Sequence, residues 1–316
     1  MFRRLWLVPV LCSVFAVSAA AQTQITTGVI EGAVIDASGA VLPGVDVEAR
    51  NVETNLTRHV VTGREGRFAF LQLPPGRYTV TFKLSGFATL VQEAVSLTVG
   101  QAVRLNPVMK ISGVAETVTV RTQAGTIETS RTASATTLNQ TTIETTPILG
   151  RKFEDLLTLT PGVSVVQGPD GDEITFAGQR GVFNNISLDG GDYNNGFFGE
   201  QMGGQRAAID ITLDAVKEFQ VVATGANAEY GRTAGGVVNV ITKSGTNDVR
   251  GTLFHFQRLE GLTSDTSDGK PLKDFRREQT GGTIGGPLKR DKVFFFVALE
   301  GIREKLQRPN LSEAIG

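Results

Sequence analysis

Residues 216–247 read VKEFQVVATGANAEYGRTAGGVVNVITKSGTN, and this stretch decides the fold of the middle of the chain. Two of its segments, residues 219–223 and 236–242, are rich in valine and other residues that favour β-strands. The connection between them is rich in glycine, alanine and asparagine, which is typical of a loop. We predict one strand in each segment, with a helix or turn over residues 213–218 just before the first.

The region before these strands adds a helix and two further strands. Residues 153–159 place their apolar side chains at the spacing of one helix face and are followed by a Pro-Gly pair that ends the pattern. Residues 174–177 and 186–188 have the composition of strands. We therefore expect residues 147–245 to form one mixed α/β unit.

Residues 25–110 show short alternating runs between turn signals. The clearest run is RYTVTFKL, residues 77–84, in which Tyr78, Val80 and Phe82 fall on one face. Several such runs at short spacing predict a small antiparallel β-sandwich.

Residues 1–21 have the layout of a secretory signal peptide. Two arginines precede an apolar run, and a stretch of small residues that ends at Ala21 follows it. The single cysteine, Cys12, lies inside this run, so we expect the exported chain to contain none.

Composition excludes several classes of function. The 316 residues carry a formal net charge of -1, which argues against a nucleic-acid-binding polycation. The only histidines are His59 and His255, and neither belongs to a metal-binding pattern. We expect no cofactor, no metal and no enzymatic activity.

Residues 246–316 return to a β pattern. In residues 251–257, Thr252, Phe254 and Phe256 share one face. A long polar loop and then the tight turn PLKRDK separate the later strands, and this asymmetry is typical of outer-membrane barrels. Three strands cannot close a barrel, so we expect this segment to be its incomplete start.

Residues 111–146 are rich in threonine, serine, alanine and glycine, which predicts an extended and partly mobile linker. Its one clear strand signal is ETVTV, residues 116–120, in which β-branched residues favour the extended state. The pattern alone leaves two interpretations open. The segment is either the last strand of the sandwich or a connector that pairs with nothing.

Several motifs of the sequence resemble those of a known family. The stretches TPILGRKFEDLLTLTPGV, ITFAGQRGVFNNISLDGG and residues 216–247 resemble the plug domain of TonB-dependent receptors. The positions that match the recurring plug residues of this family are Arg180, Gly181, Leu188, Asp189, Gly190, Glu218, Gly235, Gly236 and Asn239.

The rest of the chain fits the same family. VIDASGAVLPGVDV and GREGRFAFLQLPPGRYTV resemble the carboxypeptidase regulatory-like domain, a seven-stranded prealbumin-like sandwich. GGTIGGPLKRDKVFFF is similar to the early barrel of the Oar-like subgroup, whose members carry such a sandwich in front. The resemblance implies a mainly β chain with a sandwich, a mixed α/β plug and the first strands of an outer-membrane β-barrel.

The resemblance also implies a role for ETVTV. The TonB box of this family lies just ahead of the plug and reads as an acidic residue, a threonine and then alternating β-branched residues. Five residues match it in position and type: Glu116, Thr117, Val118, Thr119 and Val120. Such a segment binds TonB by offering its backbone groups to the edge of a partner's sheet.

The function implied is that of an outer-membrane receptor that takes up a substrate through a plugged β-barrel. Its partners would be TonB, outer-membrane lipid and an unknown extracellular substrate, with the sandwich and the TonB box in the periplasm. Two alternatives remain open. One is a secreted or periplasmic β-sandwich protein for adhesion or carbohydrate binding, and the other is a plug-like periplasmic signalling partner.

Overall fold

A computed structural model describes residues 26–112, 117–121, 134–148, 151, 153–168, 171–179, 181–194, 211–226, 230–231, 233–264 and 274–305. The predicted signal peptide lies outside these residues. The described chain divides into two compact units. The first runs to Thr242, and the second starts at Lys243 and also includes Thr212–Ala215.

The N-terminal part of the first unit is a β-sandwich. Its strands are β1 (Gly28–Ala33), β2 (Ile35–Asp36), β3 (Asp46–Asn51), β4 (Thr57–Val61), β5 (Arg67–Leu73), β6 (Gly76–Lys83), β7 (Thr89–Leu97), β8 (Ala102–Leu105), β9 (Val108–Met109) and β10 (Thr117–Arg121). One sheet has the order β5-β1-β8 and the other β10-β7-β6-β3-β4, while β2 and β9 form a short separate pair. The seven strands of the two sheets before β10 agree with the sandwich that the sequence predicted.

The alternation of RYTVTFKL produces the core of the sandwich. Tyr78, Val80 and Phe82 are fully buried on β6, as predicted. Phe82 meets Phe68 of the other sheet edge to face, with ring centroids 5.5 Å apart. Apolar side chains from both sheets therefore enclose a single core.

The sandwich departs from the predicted antiparallel pairing at three strand pairs. Strand β1 pairs in parallel with β8, β2 with β9, and β10 with β7. Parallel partners must be joined by long connections, so no local turn signal announces them in the sequence.

The second part of the first unit is a mixed α/β fold. Its elements are β11 (Ser134–Leu138), α1 (Gln140–Thr145), α2 (Phe153–Leu157), β12 (Val163–Gly168), β13 (Gly171–Phe176), β14 (Asn185–Leu188), β15 (Gly191–Asp192), β16 (Val216–Thr224) and β17 (Val237–Thr242), with a 3-10 turn at Gly181–Phe183. Five strands form one sheet in the order β11-β16-β17-β14-β15, and β12 and β13 form a hairpin. Strands β16 and β17 are almost entirely buried and are the two strands predicted from residues 216–247.

Three local predictions for this region need correction. Residues 134–138 read SATTL, and their composition predicts a linker, but they form β11 because they pair with β16. Helix α1 was also missed, although Asn139 caps it by accepting a hydrogen bond from the Thr142 N–H at 3.0 Å. The turn before β16 ends at Ala215, so residues 216–218 are strand, since their ladder with β17 begins at Val216.

The second unit is an antiparallel sheet of three strands, β18 (Arg250–Leu259), β19 (Arg276–Lys289) and β20 (Val293–Lys305), in that order. The predicted tight turn joins β19 to β20, and Asn247 and Asp291 exchange two hydrogen bonds of 2.8 Å beside it. The rings of Phe254 and Phe256 lie 5.6 Å apart, on the shared face that alternation predicted. In the described part of the chain, no helix is both long and apolar enough to cross a membrane.

Candidate functional site

The ETVTV segment forms an edge strand of the sandwich. Thr117, Val118, Thr119 and Val120 lie in β10, whereas Glu116 lies outside the described residues. The strand runs parallel to β7, with Thr117 opposite Thr89 and Val120 opposite Gln92. The sequence pattern left two interpretations of this segment open. The structure agrees with the first of them, because the segment is the last strand of the sandwich.

Only one described side chain of β10 contributes to the sandwich core. Val118 is partly buried and packs against the core cluster. Thr117, Thr119 and Val120 are exposed, Val120 by 43% of its surface. The strand is thus held mainly by its backbone ladder with β7 and by one valine.

Strand β10 ends its sheet, because no other strand of the described residues pairs with its outer side. Edge strands expose backbone N–H and C=O groups that another strand can use. The four described residues of the segment therefore have the chemistry needed for β-augmentation, although one side of the strand is already occupied by β7.

The sandwich meets the α/β sheet through two of its turns. The Val99 N–H donates a hydrogen bond of 2.6 Å to the Glu218 carboxylate on β16. The Lys217 ammonium donates one of 2.6 Å to the Pro75 carbonyl. Lys217 and Glu218 are neighbours at the irregular start of β16, where its pairing with β17 shifts register, so this end of the strand contacts both turns.

A third residue of β16 completes this contact. A Cβ atom added at Gly100 would lie 2.6 Å from the Gln220 amide nitrogen, so the turn approaches Gln220 too closely for a side chain. Gly100 also has φ of +64°, which favours glycine. The Tyr230 hydroxyl donates to the Gln220 side-chain oxygen at 3.1 Å and fixes its orientation.

The environment of Glu218 changes its acidity. Burial raises the pKa of its carboxyl from the ordinary 4.5 to about 7, while the Val99 N–H and the Lys217 charge act in the opposite direction. Desolvation disfavours the charged form more than these two favourable contacts restore it.

The predicted plug residues Leu188, Asp189 and Gly190 build the turn between β14 and β15. Asp189 has φ of +49° and Gly190 of +82°. The Asp189 carboxylate accepts hydrogen bonds from the Thr242 N–H at 2.9 Å and hydroxyl at 2.7 Å. Leu188 pairs with Val240, so the turn fastens the ends of the parallel strands β14 and β17 together.

Gly235 and Gly236 precede β17 and lie close to buried side chains, and Asn239 lies within the strand. A Cβ atom at Gly236 would collide with the Phe176 ring, and one at Gly235 with the Asn184 side chain. Asn184 itself donates to the Ile174 carbonyl at 2.6 Å. Asn239 is fully buried and accepts a hydrogen bond from the Ser187 hydroxyl at 2.9 Å.

These residues have structural roles in the α/β sheet and lie apart from the β10 strand. Gly181 opens the 3-10 turn that carries Asn184, whereas Arg180 lies outside the described residues. Sequence reasoning missed Val99, Gly100 and Gln220, because no motif marks a contact between distant turns. Within the described ranges no three His, Cys, Asp or Glu side chains come together as metal ligands.

Three families match consecutive parts of the chain. Residues 29–110 match the carboxypeptidase regulatory-like domain, residues 128–238 the TonB-dependent receptor plug domain, and residues 241–315 an outer membrane β-barrel domain. Together they follow the order that the sequence motifs predicted.

One curated relative and two solved structures resemble the chain. The TonB-dependent transporter Oar of Myxococcus xanthus is 28% identical over 291 residues, which cover 84% of this chain and 26% of the relative. The chain thus spans about a quarter of that relative's length. The siderophore receptor PirA of Acinetobacter baumannii is 24% identical, covers 58% of this chain and 26% of its own, and has a TM-score of 0.42. The outer membrane transporter YddB of Escherichia coli is 15% identical, with coverages of 55% and 26% and a TM-score of 0.43.

Proposed function

Because the chain belongs to the TonB-dependent receptor family, we propose that its protein takes up a substrate across the outer membrane with energy delivered by TonB. The matched plug and barrel domains place it in the outer membrane. The alternative of a secreted adhesion module loses support, because residues 128–238 match a TonB-dependent receptor plug domain and residues 241–315 match an outer membrane β-barrel domain.

The observation that carries the proposal is the position and chemistry of β10. Thr117, Val118, Thr119 and Val120 already have the extended backbone that strand addition requires. The strand lies at the edge of a sandwich sheet and precedes the plug in the sequence. We propose that Glu116 and these four residues are the segment that TonB binds, on the periplasmic side of the membrane.

The contact between sandwich and plug suggests how a pull on this segment acts. A force on β10 reaches β7 through their ladder, and the turn that follows β7 contacts Glu218 and Gln220 on β16. Since β16 lies inside the plug sheet, the sandwich offers a second connection to the plug beside the chain itself.

The protein is proposed to act as a transporter and not as an enzyme. Its substrate is a molecule from outside the cell.

Cross-linking in cells tests the proposal. A photoreactive thiol probe is attached to Thr119→Cys, whose side chain is exposed, in cells that express the protein. Its matched control is Thr57→Cys, which is exposed on β4 at the other edge of the same sheet. We expect a cross-link to TonB from position 119 and none from position 57. Equal cross-linking at both positions, or none at 119, would contradict the assignment.

A further inference from the structure

The three-stranded sheet β5-β1-β8 of the sandwich carries a cleft that the proposed uptake function does not use. Strand β10 belongs to the other sheet, so the cleft does not include the proposed TonB-binding segment. Its volume is about 730 Å³, which lies within the range of about 300–1,000 Å³ that is usual for small-molecule sites. The residues that form its floor and walls include Glu31, Ala33, Arg67, Ala69, Arg104 and Asn106.

Small side chains form the floor of the cleft. Ala69 on β5 lies opposite Glu31 on β1, and Ala33 on β1 lies opposite Arg67 on β5. Phe68, between Arg67 and Ala69, is buried in the core, so its two neighbours point to the outer face of the sheet. A floor of methyl groups lets a ligand chain lie close to the sheet, between the longer side chains.

Two arginines supply hydrogen-bond donors on opposite sides of this floor. The Arg104 guanidinium donates to the Glu31 carboxylate at 2.9 Å, and Arg67 pairs with Glu65 at 3.2 Å. A guanidinium has several N–H donors in a rigid planar fork. Each arginine is therefore oriented by one carboxylate and keeps donors for a further acceptor.

An amide and a carboxylate complete the polar lining. The Asn106 side-chain oxygen accepts the Ala33 N–H at 3.3 Å, which leaves the Asn106 NH₂ group as a donor. The Glu31 oxygen that does not bind Arg104 is an acceptor. The cleft thus offers two cations and an amide donor together with one acceptor.

This combination favours a peptide with a free carboxylate over two other ligands. The Glu31 carboxylate, directly opposite Arg104, repels a doubly charged phosphate more strongly than a singly charged carboxylate. A neutral sugar finds no exposed ring to pack on, because Phe68, the one aromatic residue of the lining, is only 4% exposed. A peptide has both the anionic end and the N–H donors that the lining requires.

We propose that the cleft binds a short peptide by its terminal carboxylate, which lies between Arg67 and Arg104. Strands β5 and β8 flank β1 and are roughly 10 Å apart, a gap that two arginine side chains close from opposite sides. A backbone N–H of the peptide donates to Glu31, and a peptide carbonyl accepts from Asn106. This ligand site on the sandwich is an addition to the proposed uptake function.

Calorimetric titration of the full chain in detergent tests the site. The probe is trialanine with a free carboxylate, and its matched control is trialanine amide, which differs only in lacking the charge. We expect the acid to bind and the amide to bind at least about tenfold more weakly, because charge-assisted hydrogen bonds are lost. Equal affinity of acid and amide, or no binding of the acid at millimolar concentration, would overturn the proposal.

Variants locate the binding in the cleft. Arg67→Gln and Arg104→Gln should each weaken binding of the acid at least about tenfold. Ala69→Leu should do the same, since it fills the exposed floor without a change of charge. The matched control is Arg77→Gln, which removes an exposed arginine that pairs with Glu53 at 3.8 Å on the other sheet and should leave binding unchanged. Binding that survives Ala69→Leu, or an equal loss in Arg77→Gln, would place the peptide elsewhere and overturn the proposal.

The source of the peptide is distinguished with one further pair of ligands. In the periplasm, stem peptides of the cell wall and the ends of protein chains both carry a free carboxylate. A stem peptide is therefore titrated with and without its disaccharide. Binding of the sugar-linked form that is at least as tight as that of the free peptide supports the site with the cell wall as its source. Loss of binding on addition of the sugars supports the site with protein chain ends as its source.

Discussion

The Val99 N–H donates a hydrogen bond of 2.6 Å to the carboxylate of Glu218, 119 residues further along the chain. Val99 lies in a turn of the sandwich and Glu218 on the buried strand β16. A plug residue recognised from its family motif thus also binds the sandwich. The contact gives Glu218 a role in joining two domains, in addition to its place in the plug sheet.

The raised pKa of Glu218 makes stability depend on pH. Its carboxyl is protonated below about 7 in the folded chain but only below 4.5 when unfolded. Between these values the folded state binds more protons, so stability falls as pH rises. Above pH 7 the cost of the buried charge is on the order of 3 kcal/mol, from 1.36 kcal/mol per pKa unit.

Glu218→Gln should remove this dependence, because glutamine carries no charge and its oxygen can still accept the Val99 N–H. We expect the variant to match the wild type at pH 5 and to exceed it in stability at pH 8, in urea denaturation followed by circular dichroism. Wild-type stability that is unchanged between the two pH values would show that the carboxyl does not titrate in this window.

Glu218→Ala should weaken the junction between sandwich and plug. At pH 5, where the Glu218 carboxyl is protonated, the change leaves the buried Val99 N–H without its acceptor, which costs about 1–3 kcal/mol. The matched control is Glu65→Ala, which removes an exposed carboxylate that pairs with Arg67 at 3.2 Å and should cost less than about 1 kcal/mol. Faster amide exchange at Val99 in the first variant only would support the junction, and equal exchange in both would count against it.

The alternation of apolar and polar residues and the glycine motifs predicted much of this fold. They could do so because both patterns reflect the local burial and turns of the chain. Tyr78, Val80 and Phe82 alternate because β6 buries one face, whereas β16 and β17 are rich in valine and buried at nearly every position because both their faces are covered. β11 could not be predicted in the same way. Its sequence SATTL has little apolar character, and its strand state depends on pairing with β16, more than 80 residues away.

The candidate site could also be predicted only in part from the sequence. ETVTV has a clear strand signal, but alternation does not say which strand it joins, and its parallel partner β7 is separated from it by β8 and β9. The turn at Val99 and Gly100 has no signature of its own, so its contact with Glu218 and Gln220 emerges only when the chain is folded.

Gly236→Ala should destabilise the plug sheet. The added methyl group would overlap the buried Phe176 ring, and such overpacking costs about 1–3 kcal/mol. Gly231→Ala is the control, because a Cβ atom at Gly231 has no neighbour within 4 Å. Urea denaturation of both variants measures the difference, and equal stability would mean that Phe176 moves aside without cost.

Asp189 tests the turn after β14, whose hydrogen bonds to Thr242 hold the end of β14 beside β17. Asp189→Ala removes the acceptor of two hydrogen bonds from Thr242 and places alanine at a positive φ, so we expect a loss on the order of 2–3 kcal/mol. Asp189→Asn should cost less, since asparagine tolerates this conformation and keeps one side-chain oxygen. Both are measured by urea denaturation, and equal losses in the two variants would show that the turn is held by the charge of Asp189 alone.

The most direct test of the central claim is the affinity of the periplasmic domain of TonB for peptides of residues 112–124. The wild-type peptide is compared with Val118→Pro, which lacks one backbone N–H and disfavours strand pairing, and with Val118→Thr, which keeps the N–H and the β-branching. Strand pairing predicts that proline weakens binding by at least about tenfold, the loss of roughly one to two hydrogen bonds, while threonine changes it less than about threefold. Equal affinity of the wild-type and proline peptides would contradict the account and leave these residues as a connecting strand only.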